Sequence, residues 1–255
     1  MPALRSIAKG LGGFIFITAF VMMIITLTLT SFTEYSNIKP VLSEIITSTI
    51  TQQIEPGQNE AILSDFRSMC ANTSVSTATK HFDNITITLS CADVNSASAS
   101  DIPRLMAISI VDMFYYKDYG CSYIECLRSG ALKEEAPFVL FASSMAHEFF
   151  SSINIYFLIV AIFGGIIMAW GAGSIPSALK AFGWSFLIIG VGYFFIGISK
   201  SLIHVPSEAQ AVISALFDPL FAAIMRYFLY SLVAGIALLI AGYGFKFLSG
   251  KKETK

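Results

Sequence analysis

Four stretches of this chain are apolar for too long to belong to an ordinary soluble domain: Leu11–Phe32, Ile153–Gly173, Ala181–Ser199 and Phe221–Phe245. Crossing about 30 Å of hydrocarbon takes roughly twenty helical residues. With no water in the bilayer core, a helix is the one single segment that satisfies all of its own backbone groups there. None of the four carries a charge near its middle, and Arg226 lies towards one end of the fourth. The composition agrees, with 55% hydrophobic and only 13% charged residues, where a soluble domain carries roughly 25% charged.

Polarity collects in one place. Residues 33–135 hold most of the acids and amides and all four cysteines. The net charge is −1 and the basic residues are scattered, so the electrostatic footprint of a nucleic-acid partner is missing.

Arg5 and Lys9 precede the first run as they would in a signal peptide. Its apolar stretch, however, exceeds the usual seven to fifteen or so residues, and no small-x-small cleavage site follows. The expectation is an uncleaved signal anchor. Lys180 falls between the second and third runs, and Lys246, Lys251, Lys252 and Lys255 follow the fourth. The loop near Ser201–Leu220 has no Lys or Arg of its own. The positive-inside rule then puts both termini in the cytoplasm of a plasma-membrane protein and the long polar segment outside.

The expected organisation is a cytoplasmic N-terminus with the first span (1–32) and an extracytoplasmic domain with helical stalks (33–152). Spans at 153–173 and 181–199 follow, then an outer loop with an interfacial helix (200–220), a span at 221–245 and a basic tail (246–255). The fold class is thus an all-α four-helix transmembrane bundle with a small disulfide-stapled α+β extracytoplasmic domain inserted between the first two spans.

Cys70, Cys91, Cys121 and Cys126 all fall in that inserted segment. An even number of cysteines in an oxidising compartment reads as disulfides. The favoured pairs are Cys70–Cys91 and Cys121–Cys126, which close local loops; the second needs a turn at Gly120 because residues five apart in a helix are too distant to bridge. Zinc wants tight C-x2-4-C pairs, and this spacing fits them poorly.

Local patterns divide the segment further. Apolar residues at 38, 41, 42, 45, 46 and 50 recur with the helical period, which predicts a stalk continuing from the first span and bent at Pro40. Pro56-Gly57 ends it, and a short helix leads to Cys70. Residues 84–90 alternate with period two, a half-buried strand, with Val75–Thr79 as its partner. Asp101 caps a helix with Pro103 in its first turn, and Pro137 opens another. Asn72 and Asn84 head N-x-[ST] sequons, a motif common by chance.

Catalytic chemistry is hard to find. His147-Glu148 begins an H-E-x-x-H, but Ser151 stands where the second histidine is needed to close a metal site. His81 and Asp83 could form a base and its orienter, but no nucleophile motif accompanies them, so a solvated pair is the plainer reading. Lys200 and His204 read as snorkelling side chains. No enzymatic activity, cofactor or metal is expected.

Small residues carry the remaining signal. Ala161, Gly165, Ala169 and Gly173 recur every four positions in span two, and Gly183, Gly190 and Gly197 every seven in span three. Such rows let helices approach closely in lipid, within one chain or across a homo-oligomer. Thr18, Thr26, Thr28 and Thr30 could line a pore, but hydroxyls in such helices usually bond their own backbone. Ser207 and Gln210 form a capping box for a short helix lying at the interface, and Asp218-Pro219 restarts the chain as span four. The expected function is a non-enzymatic membrane protein, in contact with the lipid bilayer, whose external domain binds a protein partner or helps assemble a cell-envelope complex. The alternative is an oligomeric channel or transport subunit.

Overall fold

The structure, a computed structural model, describes residues 2–54, 56–71, 75–82, 85–129, 140–202 and 207–250. At 2, 56, 129, 193–194, 196–202, 207–217 and 246–250 only the backbone is described. In chain order the elements are α1 (Pro2–Thr33), α2 (Tyr35–Gln53), α3 (Pro56–Cys70), β1 (Thr77–Phe82), β2 (Ile85–Ser90), α4 (Cys91–Ser96), a 3-10 turn at Ala99–Asp101, α5 (Ile102–Tyr115), α6 (Tyr123–Ser129), α7 (Ser144–Ala172), α8 (Ile175–Leu202) and α9 (Ser207–Gly250). They form two compact units: a bundle of Met1–Thr30 with Phe149–Lys255, and a head of Ser31–Glu148. Four helical stretches, Ala3–Thr33, Ser144–Ala172, Ile175–Gly192 and Asp218–Phe245, are long and apolar enough to cross a membrane.

In the bundle, glycine replaces side chain with backbone contact at two helix pairs. A Cβ on Gly12 of α1 would lie 2.5 Å from the Met168 backbone nitrogen, and one on Gly164 of α7 would lie 2.7 Å from that of Phe16. Gly171 meets Lys9 in the same way at 2.5 Å. Between α8 and α9 the contacts are reciprocal: Gly183 faces Leu239, Gly190 faces Leu232, Gly235 faces Leu187 and Gly242 faces Lys180. Close approach of this kind lets dispersion do what hydrophobic drive cannot do in lipid. The α1 and α8 sides meet through phenylalanines: Phe16 stands edge-on to Phe182 at 5.3 Å and to Phe186 at 5.4 Å, and Phe20 to Phe186 at 5.1 Å. These are the offset geometries that aromatic quadrupoles prefer.

The head has its own core. Phe66, Ile87, Val94 and Ile102 are fully buried, packed with Leu63, Leu89, Met106 and Ile110. On β2 the alternation is visible as Ile87 and Leu89 inward and Thr88 outward. On α5 the inward row is Ile102, Met106 and Ile110, the helical i, i+4 face. Strands β1 and β2 pair antiparallel from Thr77↔Ser90 to Phe82↔Ile85, so the partner strand begins two residues later than the expected Val75. The Cys70–Cys91 disulfide, with Cα atoms 5.4 Å apart, joins the end of α3 to the start of α4 beside this core. Cys121–Cys126, at 5.6 Å, closes the turn before α6, where Gly120 takes φ +65.

Several boundaries differ from the sequence expectation. The stalk does not continue from the first span around Pro40. The helix breaks at Glu34, whose φ −61 and ψ 132 are extended, and whose carbonyl then accepts the Asn37 and Ile38 N–H groups at 2.9 and 3.0 Å. Pro40 sits inside α2. Asp101 does not cap α5 with its side chain; its carboxylate turns back to the Ser98 N–H at 2.8 Å and closes a capping box around the 3-10 turn. Lys180 lies within α8, since only Gly173 and Ser174 separate α7 from α8. Among the described residues no separate interfacial helix precedes span four: α9 runs unbroken from Ser207 to Gly250 with Pro219 inside it. Proline removes one backbone donor, and here the helix continues past that missing bond. Pro137, Asp83, His204 and both sequon asparagines, Asn72 and Asn84, lie outside the described residues.

Candidate functional site

Polar side chains gather on the head at two surfaces. The first is the outward face of the hairpin. Register places Thr79 opposite Thr88 and His81 opposite Thr86, and the side chains bond across the strands, Thr79 Oγ1 to Thr88 Oγ1 at 3.2 Å and His81 Nδ1 to Thr86 Oγ1 at 2.9 Å. Lys80 reaches Asp65 of α3 at 2.6 Å. The Thr88 N–H, on the outer edge of β2, donates to Ser109 Oγ of α5 at 2.9 Å; a helix hydroxyl thereby covers part of an edge that would otherwise invite another strand. A recess of about 430 Å³ lined by Thr86, Thr88, Ser109, Asp112 and Met113 adjoins this face.

The second surface follows the seam of α2 and α5. The Tyr35 hydroxyl donates to Asp112, and the Lys39 ammonium donates to that same hydroxyl and pairs with Asp112 at 3.2 Å. Tyr35, Tyr115 and Tyr116 form a ring cluster with centroids 5.0–5.3 Å apart, and Lys39 also stands over the Tyr35 ring at 4.8 Å. The buried Tyr115 hydroxyl donates to the Thr33 carbonyl at 3.0 Å. Burial, reinforced by the bond it donates to Asp112, raises the Tyr35 pKa. Burial opposes the charge on Lys39, but its bonds to Tyr35 and Asp112 outweigh that and raise its pKa too. Tyr35 is therefore held protonated; a phenol serving as a general base needs the opposite shift. Beyond Lys39 the seam opens into a cleft of about 700 Å³ lined by Ser36, Lys39, Pro40, Ser43, Glu44, Thr47, Ser48, Arg104 and Ile108. Sequence reasoning passed over Tyr35, Lys39, Asp112 and Arg104, because spacing within one helix gives no sign of a partner on another.

The residues singled out in sequence fall as follows. All four cysteines are in disulfides. Ala161 is buried, Gly165 faces the Phe182 ring at 3.3 Å, and Gly173 ends α7 with φ +69 beside Arg5. Ala169 is half-buried, and the surroundings of Gly197 lie outside the described residues. Gly183 and Gly190 are both at backbone contacts; Gly12, Gly164, Gly171, Gly235 and Gly242, which share that role, were not singled out. His147 and Glu148 lie on α7 with no second histidine one turn on. No group of three or more His, Cys, Asp or Glu side chains placed to hold a metal occurs among the described residues.

Five hydroxyls in the bundle bond their own helices. Thr26 donates to the Met22 carbonyl at 2.9 Å, Thr28 to Ile24 at 2.8 Å, Thr30 to Thr26 at 2.9 Å, Ser185 to Ala181 at 3.0 Å and Ser231 to Tyr227 at 3.0 Å. Thr26 also reaches Asn154 Oδ1 at 3.1 Å.

The four long apolar helices and the disulfide-tied head fit a helical multi-pass membrane protein. No protein-family model, curated protein or solved structure matches the chain.

Proposed function

We propose that this chain is a non-enzymatic integral membrane protein of the cell envelope whose head, held outside the cytoplasm, binds a protein partner or helps assemble a complex. The observation that carries the reading is the hairpin face: Thr79, His81 and Thr88 are exposed on a sheet anchored by its own core and by Cys70–Cys91. A rigid polar face of hydroxyls and an imidazole offers adaptable hydrogen bonding at little cost in side-chain entropy. In the bundle, by contrast, Thr26, Thr28, Thr30, Ser185 and Ser231 turn their hydroxyls onto their own backbone, which takes those groups from the solvation of an ion along a pathway.

The orientation in this proposal is supported by the clustering of Arg5 beside Gly173, and of Lys180 over the Tyr243 ring at 4.2 Å, at one end of the bundle. A photo-reactive amino acid placed at Thr79 in intact membranes tests the function. A cross-linked product of discrete mass is expected from Thr79, with none from Ile240, an exposed residue of the fourth span. No product from Thr79, together with ion flux through liposomes containing the purified protein, would replace this reading with that of an oligomeric channel subunit. An impermeant maleimide tests the orientation, and should fail to label Thr254→Cys in intact cells.

A further inference from the structure

The cleft along α2 and α5 has a composition that the hairpin face lacks. Lys39 and Arg104 bring two cations to it, Glu44 one carboxylate, and Ser36, Ser43, Thr47 and Ser48 a run of hydroxyls, over an apolar floor of Pro40 and Ile108. Tyr35 and Asp112 bind Lys39 on one side. Arg104 is exposed and forms neither a hydrogen bond nor an ion pair with any described residue. A tetrahedral anion suits these donors, because a guanidinium and an ammonium together neutralise and orient phosphate oxygens. Asp112 is already paired with Lys39, so Glu44 is the lining carboxylate left to call for a positive group on the same ligand.

The chain also limits where this cleft can be. The uncharged run Leu11–Phe32 is 22 residues long, about 33 Å as a helix and therefore matched to the hydrocarbon. Tyr35 follows Thr33 by two residues and Lys39 lies one turn into α2. Lys39 is thus six residues beyond Thr33 in the chain. The tyrosine cluster at the same point is the residue type enriched at headgroup level.

The geometry points to a phospholipid headgroup as the ligand of this cleft: a phosphate held between Lys39 and Arg104, and a primary ammonium on the same headgroup held by Glu44. The assignment is independent of what binds the hairpin face. It is tested by hydrogen exchange on the full chain in phosphatidylcholine nanodiscs, with phosphatidylethanolamine, phosphatidylglycerol or diacylglycerol added in turn. Phosphatidylethanolamine is expected to slow exchange at α2 amides 36–48 and α5 amides 104–108 several-fold, with α3 amides unchanged. Arg104→Glu should abolish that slowing. Glu44→Gln should erase the preference for phosphatidylethanolamine over phosphatidylglycerol. Both substitutions are at exposed positions, so the fold is expected to survive them. Three results would overturn the proposal: no slowing by phosphatidylethanolamine, equal slowing by diacylglycerol, which has no phosphate, or slowing retained in Arg104→Glu. Equal slowing by free phosphoethanolamine in solution would overturn the lipid as its source.

Discussion

A Cβ on Gly190 would stand 2.6 Å from the Leu232 Cα, closer than real side-chain carbons approach a neighbouring backbone. The α8–α9 interface is therefore set by main chain at that point, and a single methyl must push the helices apart. Gly190→Ala should lower the melting temperature of the detergent-solubilised protein by an amount corresponding to about 1–3 kcal/mol, the usual cost of overpacking. Gly12→Ala should behave alike at the α1–α7 contact, where the nearest atom is the Met168 nitrogen at 2.5 Å. Gly165→Ala, which meets only side chains, the Phe182 ring at 3.3 Å and the Phe16 ring at 3.6 Å, should cost less, and Gly244→Ala, with nothing within 4 Å, should cost nothing from packing. Equal melting temperatures across the four would mean that backbone contact does not hold this bundle.

The glycines show why only part of this architecture is legible in the sequence. A row every four residues looks like one face, yet each step of four advances about 40° beyond a full turn. The row Ala161, Gly165, Ala169, Gly173 therefore winds off its starting face. The positions in backbone contact with α1 are Gly164, Met168 and Gly171, whereas Gly165 and Gly173 meet α1 through the side chains of Phe16 and Arg5; with buried Ala161 the backbone-contact positions alternate steps of three and four. The seven-residue spacing of Gly183 and Gly190 does keep to one face, and both lie at backbone contacts. Their counterparts Gly235 and Gly242 also lie seven apart, a spacing that could have been read the same way. In the head, the period-two run around Ile87 was legible because one side of β2 is buried. The break at Glu34 was not, because Pro40 is a stronger local signal and the extended turn carries no glycine or proline. The Tyr35–Lys39–Asp112 network was invisible for a different reason: its members come from α2 and α5, 73 to 77 residues apart.

The two disulfides should differ in weight. Cys70–Cys91 closes a separation of 21 residues and Cys121–Cys126 one of 5. On chain entropy alone the first constrains the unfolded head by about 3 kcal/mol and the second by about 2 kcal/mol. Cys70 and Cys91 also belong to the head core, beside Phe66 and Val94, so their loss disturbs packing as well. The double variant Cys70→Ala/Cys91→Ala should unfold the head at lower denaturant than Cys121→Ala/Cys126→Ala, as read by exchange of α3 and α5 amides. Alkylation of the native chain without reductant should modify no cysteine by intact mass. Uptake of four alkyl groups would mean that neither bridge forms.

Tyr35 and Lys39 make the head sensitive to alkali. Both hold their protons more tightly in the fold than in an unfolded chain. Above about pH 10, where free tyrosine and lysine titrate, the unfolded chain loses these protons first and the folded one retains them. Stability from the pair is thus fully present below that range and falls as pH rises through the folded values. Burial shifts Tyr115 and Tyr123 in the same direction, so a baseline decline is expected even without the network. Asp112→Asn separates the two effects. It removes the carboxylate that attracts Lys39 and accepts from Tyr35, so the variant should be less stable at neutral pH and lose less on going from pH 9 to about 11. The readout is exchange of α2 and α5 amides across that range. An identical pH slope in both proteins would show that the network contributes nothing to holding α2 against α5.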